Sequence, residues 1–167
     1  MGVAGRRHTS LKTYMQSLEL KIPPPIVTLI MAAAMWSVSL IDSSPHLSIV
    51  LRLAIGGTLA ILGGSISLAG MLAFRRVRTT YSPMKPEKTS SLVATGVYRF
   101  TRNPMYVGLL VTLIAWGVLL SSALSLFGPL IFFLYIGRFQ INPEERILSE
   151  IFGAEYARYS ARVRRWL

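Results

Sequence analysis

Two asparagine–proline pairs stand out because each is surrounded by residues that could do chemistry. Asn103-Pro104 follows Arg102 and precedes Tyr106. Asn is favoured just before a helix and Pro at its first position, so a helix is predicted to begin here. The unpaired N–H groups and the positive helix end, with Arg102 beside them, would suit a carboxylate or phosphate. The alternative is a capped helix whose Arg102 only contacts lipid headgroups.

The second pair, Asn142-Pro143, is followed directly by Glu144 and Glu145. The pattern again predicts a capped helix start, with Glu145 at the capping-box position. Capping alone would therefore explain both acids. The competing hypothesis is that one of them faces a site and binds a cation or hydroxyls, and the sequence does not say which one.

The elements that must position these residues are apolar and helical. Hydrophobic residues make up 52% of the 167 residues and charged residues 15%, against about 25% charged in an ordinary soluble domain. The predicted fold is all-α: a polytopic membrane protein with about four transmembrane helices, including a helical hairpin and ending in an interfacial helix. The long apolar runs are residues 26–41, 48–74, 104–120 and 123–141.

The distribution of basic residues predicts how the chain lies in the membrane. Of the 18 Lys and Arg residues, all but Arg52 lie in the N-terminal arm, the loop 75–103 or the tail from 138, and the net charge is +11. The positive-inside rule then places both termini and this loop in the cytoplasm, in a prokaryotic inner or plasma membrane. We expect a single domain over 1–167, divided into an arm (1–25), two spans (26–74), a cytoplasmic loop (75–103), the hairpin (104–141) and C-terminal helices (142–167).

Glycines recur at a spacing of seven in the second apolar run, at Gly56, Gly63 and Gly70, with a second set one residue later at Gly57 and Gly64. Small residues in this pattern allow another helix backbone to approach closely. The favoured interpretation is packing within the chain. A homodimer through this stripe is the alternative.

The end of the chain carries aromatic residues and a second stripe, Arg158, Arg162 and Arg165, at helical spacing. This pattern is typical of an interfacial helix that turns its Arg residues toward anionic lipid headgroups. Nucleic-acid binding is not predicted. With no Cys and only two separated His residues, no metal site is predicted either.

Two blocks of sequence resemble a known family. Residues 90–98 (SSLVATGVY) and 102–108 (RNPMYVG), followed by a C-terminal block around Glu144-Glu145 and Phe152-Gly153, are similar to the isoprenylcysteine carboxyl methyltransferases and the related phospholipid methyltransferases. The similarity covers the chain from Ser90 to its end. The chain has Asn103 where that family usually has His.

The resemblance implies an integral-membrane enzyme that uses S-adenosylmethionine (AdoMet) to methylate a lipophilic acceptor. A prenylcysteine-like carboxylate is the first expectation, and an aminophospholipid or another lipid amine the second. The resemblance implies cofactor-binding roles for Ser90, Ser91, Leu92, Val93, Tyr98, Asn103, Pro104, Met105, Tyr106 and one of Glu144 and Glu145.

Arg102 and Glu145 are the residues expected to act most directly. Arg102 suits the cofactor carboxylate, and Glu145 is the candidate base that an amine acceptor would need. A carboxylate acceptor needs no base, because a pKa of about 3.3–3.7 leaves it ionised. The alternative to an enzyme is a non-enzymatic membrane protein, whose basic loop and tail would bind anionic lipid or a partner.

Overall fold

The computed structural model describes residues 19–42, 47–76 and 91–167, and every regular element within these ranges is helical. The α-helices are α1 (Pro24–Ser39), α2 (Ile49–Arg76), α3 (Pro104–Leu120), α4 (Phe127–Ile136) and α5 (Asn142–Arg162). Short 3-10 helices span Gly96–Arg99 and Leu124–Leu126, and a π-helical turn spans Gly137–Ile141. The all-α prediction is therefore confirmed for these residues.

Among the described residues, two helices are long and apolar enough to cross a membrane. They are Ile49–Arg75 and the continuous helical stretch Leu124–Arg162. The apolar helices α1 and α3 have 16 and 17 residues and are shorter than a typical span of about 20. Length and composition thus agree with a membrane protein.

The core lies between α1, α3 and α4. Its buried side chains include Met35, Leu113, Phe132 and Ile136, and the indole of Trp116 donates a hydrogen bond to the Ala32 carbonyl at 3.0 Å. Between apolar helices in a membrane, close van der Waals packing and interhelical hydrogen bonds such as this one are the main favourable contributions.

Helix α2 packs along α3, and the seven-residue glycine spacing explains how. A Cβ added to Gly63 would lie 2.7 Å from the Gly108 carbonyl oxygen, and one added to Gly70 would lie 2.7 Å from Met105 Cγ. Such separations are too short for a real Cβ, so glycine permits the contact. By contrast, nothing lies within 4 Å of a Cβ at Gly57 or Gly64. The prediction of packing within the chain is confirmed.

The second asparagine–proline pair lies at the first residue of α5, but it is not the capped helix start that the sequence predicts. Asn142 is helical, its side chain caps nothing, and the π-helical turn joins α4 to α5 without a break. Pro143 cannot donate to the carbonyl four residues earlier, that of Phe139. The wider π-helical turn accommodates the proline ring, and the Phe139 carbonyl accepts a hydrogen bond from the Leu20 N–H at 3.1 Å instead.

The end of the chain also differs from its predicted form. Helix α5 is broken at Gly153, where φ is 46°, and it ends at Arg162 because Val163 is extended. Arg165 therefore lies outside the helix and does not share a stripe with Arg158 and Arg162. Tyr156 and Tyr159, expected among lipid headgroups, are buried within the protein.

Candidate active site

Helix α3 begins as predicted, with Asn103 preceding it and Pro104 in its first turn, but the Asn103 side chain does not cap it. The amide instead donates from Nδ2 to the Arg165 carbonyl oxygen at 2.9 Å. The Asn103 backbone N–H donates to Thr101 Oγ1 at 3.2 Å. The start of α3 is thus tied to the C-terminal tail, and the helix dipole points toward the residues around it.

Glu145, in the first turn of α5, pairs with two arginines. Its Oε1 lies 3.2 Å from Arg102 Nη2, and its Oε2 lies 2.5 Å from Arg165 Nη2. The side chains of Arg102 and Glu145 are each only 15% exposed. Charged hydrogen bonds in such partly buried surroundings are stronger than at an open surface, so these pairs fix the carboxylate against the start of α3.

Glu144 is held differently from its neighbour. Its Oε1 accepts a hydrogen bond from the Tyr106 hydroxyl at 2.5 Å. Within the described part of the chain, Glu144 forms no ion pair with a Lys or Arg. The two adjacent acids therefore differ in charge balance, and Glu144 is the one that could bind an ammonium or a ribose hydroxyl.

Arg102 has unused bonding capacity. Its Nε atom is buried and has no hydrogen-bond partner among the residues that the structure describes. A buried donor without a partner is costly, about 1–3 kcal/mol, and calls for an explanation such as a ligand. The position beside the α3 start suits an anionic group such as a carboxylate.

Buried tyrosines support the short 3-10 helix that precedes the site. Tyr98 packs edge-on against Phe74, with ring centroids 5.3 Å apart. The Tyr159 hydroxyl donates to the Tyr98 carbonyl oxygen at 2.9 Å. Tyr98 is only 5% exposed, so the contacts observed for it connect α2, the 3-10 helix and α5.

Residues 19–22, in the described part of the N-terminal arm, are bonded to the same end of the molecule. Glu19 accepts hydrogen bonds from Arg138 at 2.9 Å and from Arg146 at 2.7 Å. Burial raises the pKa of the Glu19 carboxyl, but the two guanidinium groups outweigh it, so the pKa lies below the ordinary value of 4.5. Buried Gln140 also donates to the Ile22 carbonyl at 2.7 Å. The arm thus steadies the π-helical turn just before Glu144.

The structure brings together five of the residues that the sequence singles out: Arg102, Asn103, Tyr106, Glu144 and Glu145. Pro104 and Met105 pack against Gly70, on the side facing α2. Ser91, Leu92 and Val93 lead into the 3-10 helix, with Val93 buried. Ser90 lies outside the described residues.

The sequence does not reveal the part played by Arg165 or by Asn142, whose Oδ1 accepts a hydrogen bond from Arg165 Nη1 at 3.0 Å. The helical spacing placed Arg165 with Arg158 and Arg162, on a lipid-facing stripe. No local pattern indicates that the chain leaves the helix at Val163 and returns to a loop more than sixty residues earlier.

Comparison with known proteins places these residues in a family. The family model for phospholipid methyltransferase matches residues 51–155. An uncharacterized protein of Haemophilus influenzae is 49% identical over 63 residues, which are 38% of this chain and all of that protein. No solved structure matches.

Two eukaryotic relatives carry a more specific name. Protein-S-isoprenylcysteine O-methyltransferase B of Arabidopsis thaliana is 31% identical over 65% of this chain and 55% of its own length. Protein-S-isoprenylcysteine O-methyltransferase of Saccharomyces cerevisiae is 39% identical over 47% of this chain and 33% of its own length. The chain thus spans about half or less of these named relatives.

These matches confirm the resemblance found in the sequence. The family model covers the second apolar helix, the loop, the hairpin and the acidic pair, which is more than half of the chain. The protein therefore belongs to the phospholipid methyltransferase family and is related within it to the isoprenylcysteine O-methyltransferases.

Proposed function

We propose that this protein transfers a methyl group from AdoMet to a lipophilic acceptor at the membrane, with a prenylcysteine-like carboxylate as the first choice of acceptor. The observation that carries the proposal is the cluster of Arg102, Tyr106, Glu144 and Glu145 at the start of α3, in which Arg102 Nε has no partner among the described residues. The names of the relatives support the acceptor class.

The residues present fit the cofactor. AdoMet carries a carboxylate, an ammonium, ribose hydroxyls and a sulfonium, and when bound it supplies an activated methyl group. Within the described residues, Arg102 Nε has no acceptor and could donate to the carboxylate. Glu144 has no cationic partner there and suits the ammonium or a hydroxyl. The ring of Tyr106 would favour the sulfonium by cation–π attraction.

The chain's own contribution to catalysis would be positioning and exclusion of water. Methyl transfer needs donor and acceptor about 3–3.5 Å apart and in line, which a rigid site supplies. The buried side chains of Tyr98, Tyr106 and Tyr159 and the ion pairs of Glu145 hold the surrounding elements in fixed geometry. A dry site also prevents hydrolysis.

The arrangement favours a carboxylate acceptor over an amine. Both oxygens of Glu145 accept hydrogen bonds from guanidinium groups, so taking a proton from an ammonium would first require an ion pair to break. An ionised carboxylate requires no such step. The amine alternative, an aminophospholipid or other lipid amine, is supported by Glu144, which could bind an ammonium, and by the name of the family.

For the membrane we propose four spans, α1, α2, α3 and the apolar stretch 124–141, with both termini and the loop 75–103 in the cytoplasm. The clustering of basic residues supports this orientation. The Arg residues of α5 would then lie at the headgroups, where they would attract anionic lipid. A homodimer remains a weaker proposal, because Gly56, Gly63 and Gly70 already pack within the chain.

A calorimetric titration of the purified protein with AdoMet, and then with S-adenosylhomocysteine, tests the proposal. We expect saturable binding of both in detergent or lipid nanodiscs, and weaker binding in Tyr106 and Glu145 variants that stay folded. Labelled methyl groups with prenylcysteine or aminophospholipid then identify the acceptor. No binding in either medium would leave the non-enzymatic lipid- or partner-binding hypothesis.

A further inference from the structure

The five residues after α5, Val163–Leu167, form a clasp across the start of α3. The Arg102 backbone N–H donates to the Arg164 carbonyl at 2.9 Å. The Arg165 carbonyl accepts hydrogen bonds from Asn103 Nδ2 at 2.9 Å and from Thr101 Oγ1 at 3.3 Å. The ring of Trp166 packs on Phe133, with centroids 4.7 Å apart. The backbone of the clasp is therefore fixed against α3.

The side chain of Arg165 points the other way along the clasp, to the first turn of α5. It donates from Nη1 to Asn142 Oδ1 at 3.0 Å and from Nη2 to Glu145 Oε2 at 2.5 Å. Its Nε is 3.3 Å from Glu145 Oε1. One residue thus joins two helices, its carbonyl bound to the α3 start and its guanidinium to α5.

The division of the Glu145 carboxylate between two arginines has a consequence for Arg102. Arginine and carboxylate often pair through two parallel hydrogen bonds, which would occupy two guanidinium nitrogens. Here Arg165 forms such a pair, with Nη2 on Oε2 and Nε on Oε1, and Arg102 reaches Glu145 through a single nitrogen, Nη2 on Oε1. Arg102 Nε is left buried and without a partner in the described structure.

We propose that Arg165 is a positioning residue of the cofactor site: by pairing with both oxygens of Glu145, it limits Arg102 to a single contact with that carboxylate and keeps the Nε–H of Arg102 available for the carboxylate of AdoMet. The inference rests on the proposed function. It predicts that Arg165 contributes to the binding of the amino-acid part of AdoMet, which carries the carboxylate, and that this contribution depends on Glu145.

The first test compares Arg165→Gln with Arg165→Lys and with Arg164→Gln as the matched control. Arg164 is exposed, and the interaction observed for it uses its backbone carbonyl, which the substitution keeps. We expect Arg165→Gln to weaken AdoMet binding about tenfold, the effect of losing one charge-assisted contact. Arg165→Lys should recover part of this affinity and Arg164→Gln should bind as the wild type does.

The second test uses methylthioadenosine, which keeps the nucleoside and sulfur of AdoMet but lacks the amino-acid part. Arg165→Gln should leave its affinity unchanged while it weakens AdoMet. In a Glu145→Gln background, Arg165→Gln should cause little further loss of AdoMet affinity, because residues that act together are not additive.

Four results would overturn the inference while leaving the proposed function intact. They are wild-type affinity in Arg165→Gln, equal weakening of AdoMet and methylthioadenosine, no recovery in Arg165→Lys, and full additivity with Glu145→Gln. Equal weakening with a lowered unfolding temperature would assign Arg165 a purely structural role. Failure of the wild-type protein to bind AdoMet would instead overturn the proposed function, and this inference with it.

Discussion

Polar groups at the two ends of the helical bundle differ in how they are hydrogen-bonded. At the serine end, made of Asp42, Ser121, Ser122 and Ser125, the Ser125 hydroxyl donates to the Met35 carbonyl at 2.7 Å, and Asp42 accepts from the Ser122 hydroxyl and the Leu124 N–H. At the glutamate end, made of Arg102, Glu144, Glu145 and Arg165, Glu145 pairs with both arginines, and Arg102 Nε has no partner in the part of the chain that the structure describes.

Arg52 is a further polar residue beside the serine end, and its hydrogen bonds are also made to nearby backbone. Its guanidinium donates to the Leu119 carbonyl at 2.7 Å, at the C-terminal end of α3, where a cation and a free carbonyl are well matched. Polar groups at the serine end thus close the bundle, with short side chains bonded to nearby backbone. Those at the glutamate end leave bonding capacity for something else, which is the property expected of a binding site.

The largest effect predicted from this comparison is at Glu145. Glu145→Gln leaves two arginines without their counter-charge, and we expect AdoMet affinity to fall about 30-fold, or roughly 2 kcal/mol. Calorimetry measures the loss, and Glu155→Gln, at an exposed position of α5, is the matched control. Unchanged affinity in Glu145→Gln would remove the glutamate end from the cofactor site.

Tyr106→Phe should have the next largest effect. The change removes only the hydroxyl that donates to Glu144 and keeps the buried ring. We expect the rate of methyl transfer, or AdoMet affinity, to fall about tenfold, since a side-chain hydrogen bond contributes about 0.5–1.5 kcal/mol. Tyr135→Phe makes the same change outside the cluster and should have no such effect. Equal losses in both variants would show that the Tyr106 hydroxyl has no special role.

For the serine end we predict lower stability and unchanged cofactor affinity. Ser125→Ala removes a buried hydroxyl and leaves the Met35 carbonyl without that donor, so the unfolding free energy should fall by about 1–2 kcal/mol. The affinity for AdoMet in the folded protein should stay the same. Ser160→Ala, which removes a hydroxyl whose hydrogen bond to the Ala157 carbonyl is exposed, controls for the substitution itself. A changed cofactor affinity in Ser125→Ala would mean that the two ends are coupled.

The smallest predicted effect is the pH dependence of the stability that the Glu19 ion pairs contribute. The pKa of Glu19 lies below its ordinary value of 4.5, so its ion pairs stabilise the fold above that pH and are lost as pH falls through the lowered pKa. Glu19→Gln should therefore unfold at a lower temperature than the wild type near pH 7, with the gap closing below about pH 4.5. A gap that stays constant with pH would exclude this linkage.

Much of the bundle could be predicted from local patterns. Asn103-Pro104 correctly indicated where α3 begins, and the seven-residue glycine spacing correctly indicated helix packing. Both are signals that act within one element or between neighbouring helices. Asn142-Pro143 misled because a proline can also lie inside a helix when a π-helical turn makes room for it, and the Leu20 N–H that replaces the missing donor is far away in sequence.

The candidate site was only partly predictable for a similar reason. The residue types alone indicated chemistry at Arg102, Tyr106, Glu144 and Glu145. That Glu144 binds a tyrosine while Glu145 binds arginines depends on contacts between residues far apart in sequence. The position of Arg165 depends on an extended backbone at Val163 and on carbonyl acceptors in the tail. Helical periodicity carries no information about either feature.

The π-helical turn at Gly137–Ile141 also has a consequence for insertions and deletions. A π-helical turn holds one residue more than an α-helical turn, so it acts as a one-residue insertion whose effect is absorbed locally. If the same residues formed a regular α-helix, the sequence beyond would slip by one position: Glu144 would face the arginines and Pro143 would face Tyr106. A protein lacking one residue in this turn could keep the acidic pair in place with an ordinary helix, so length variation is best tolerated there.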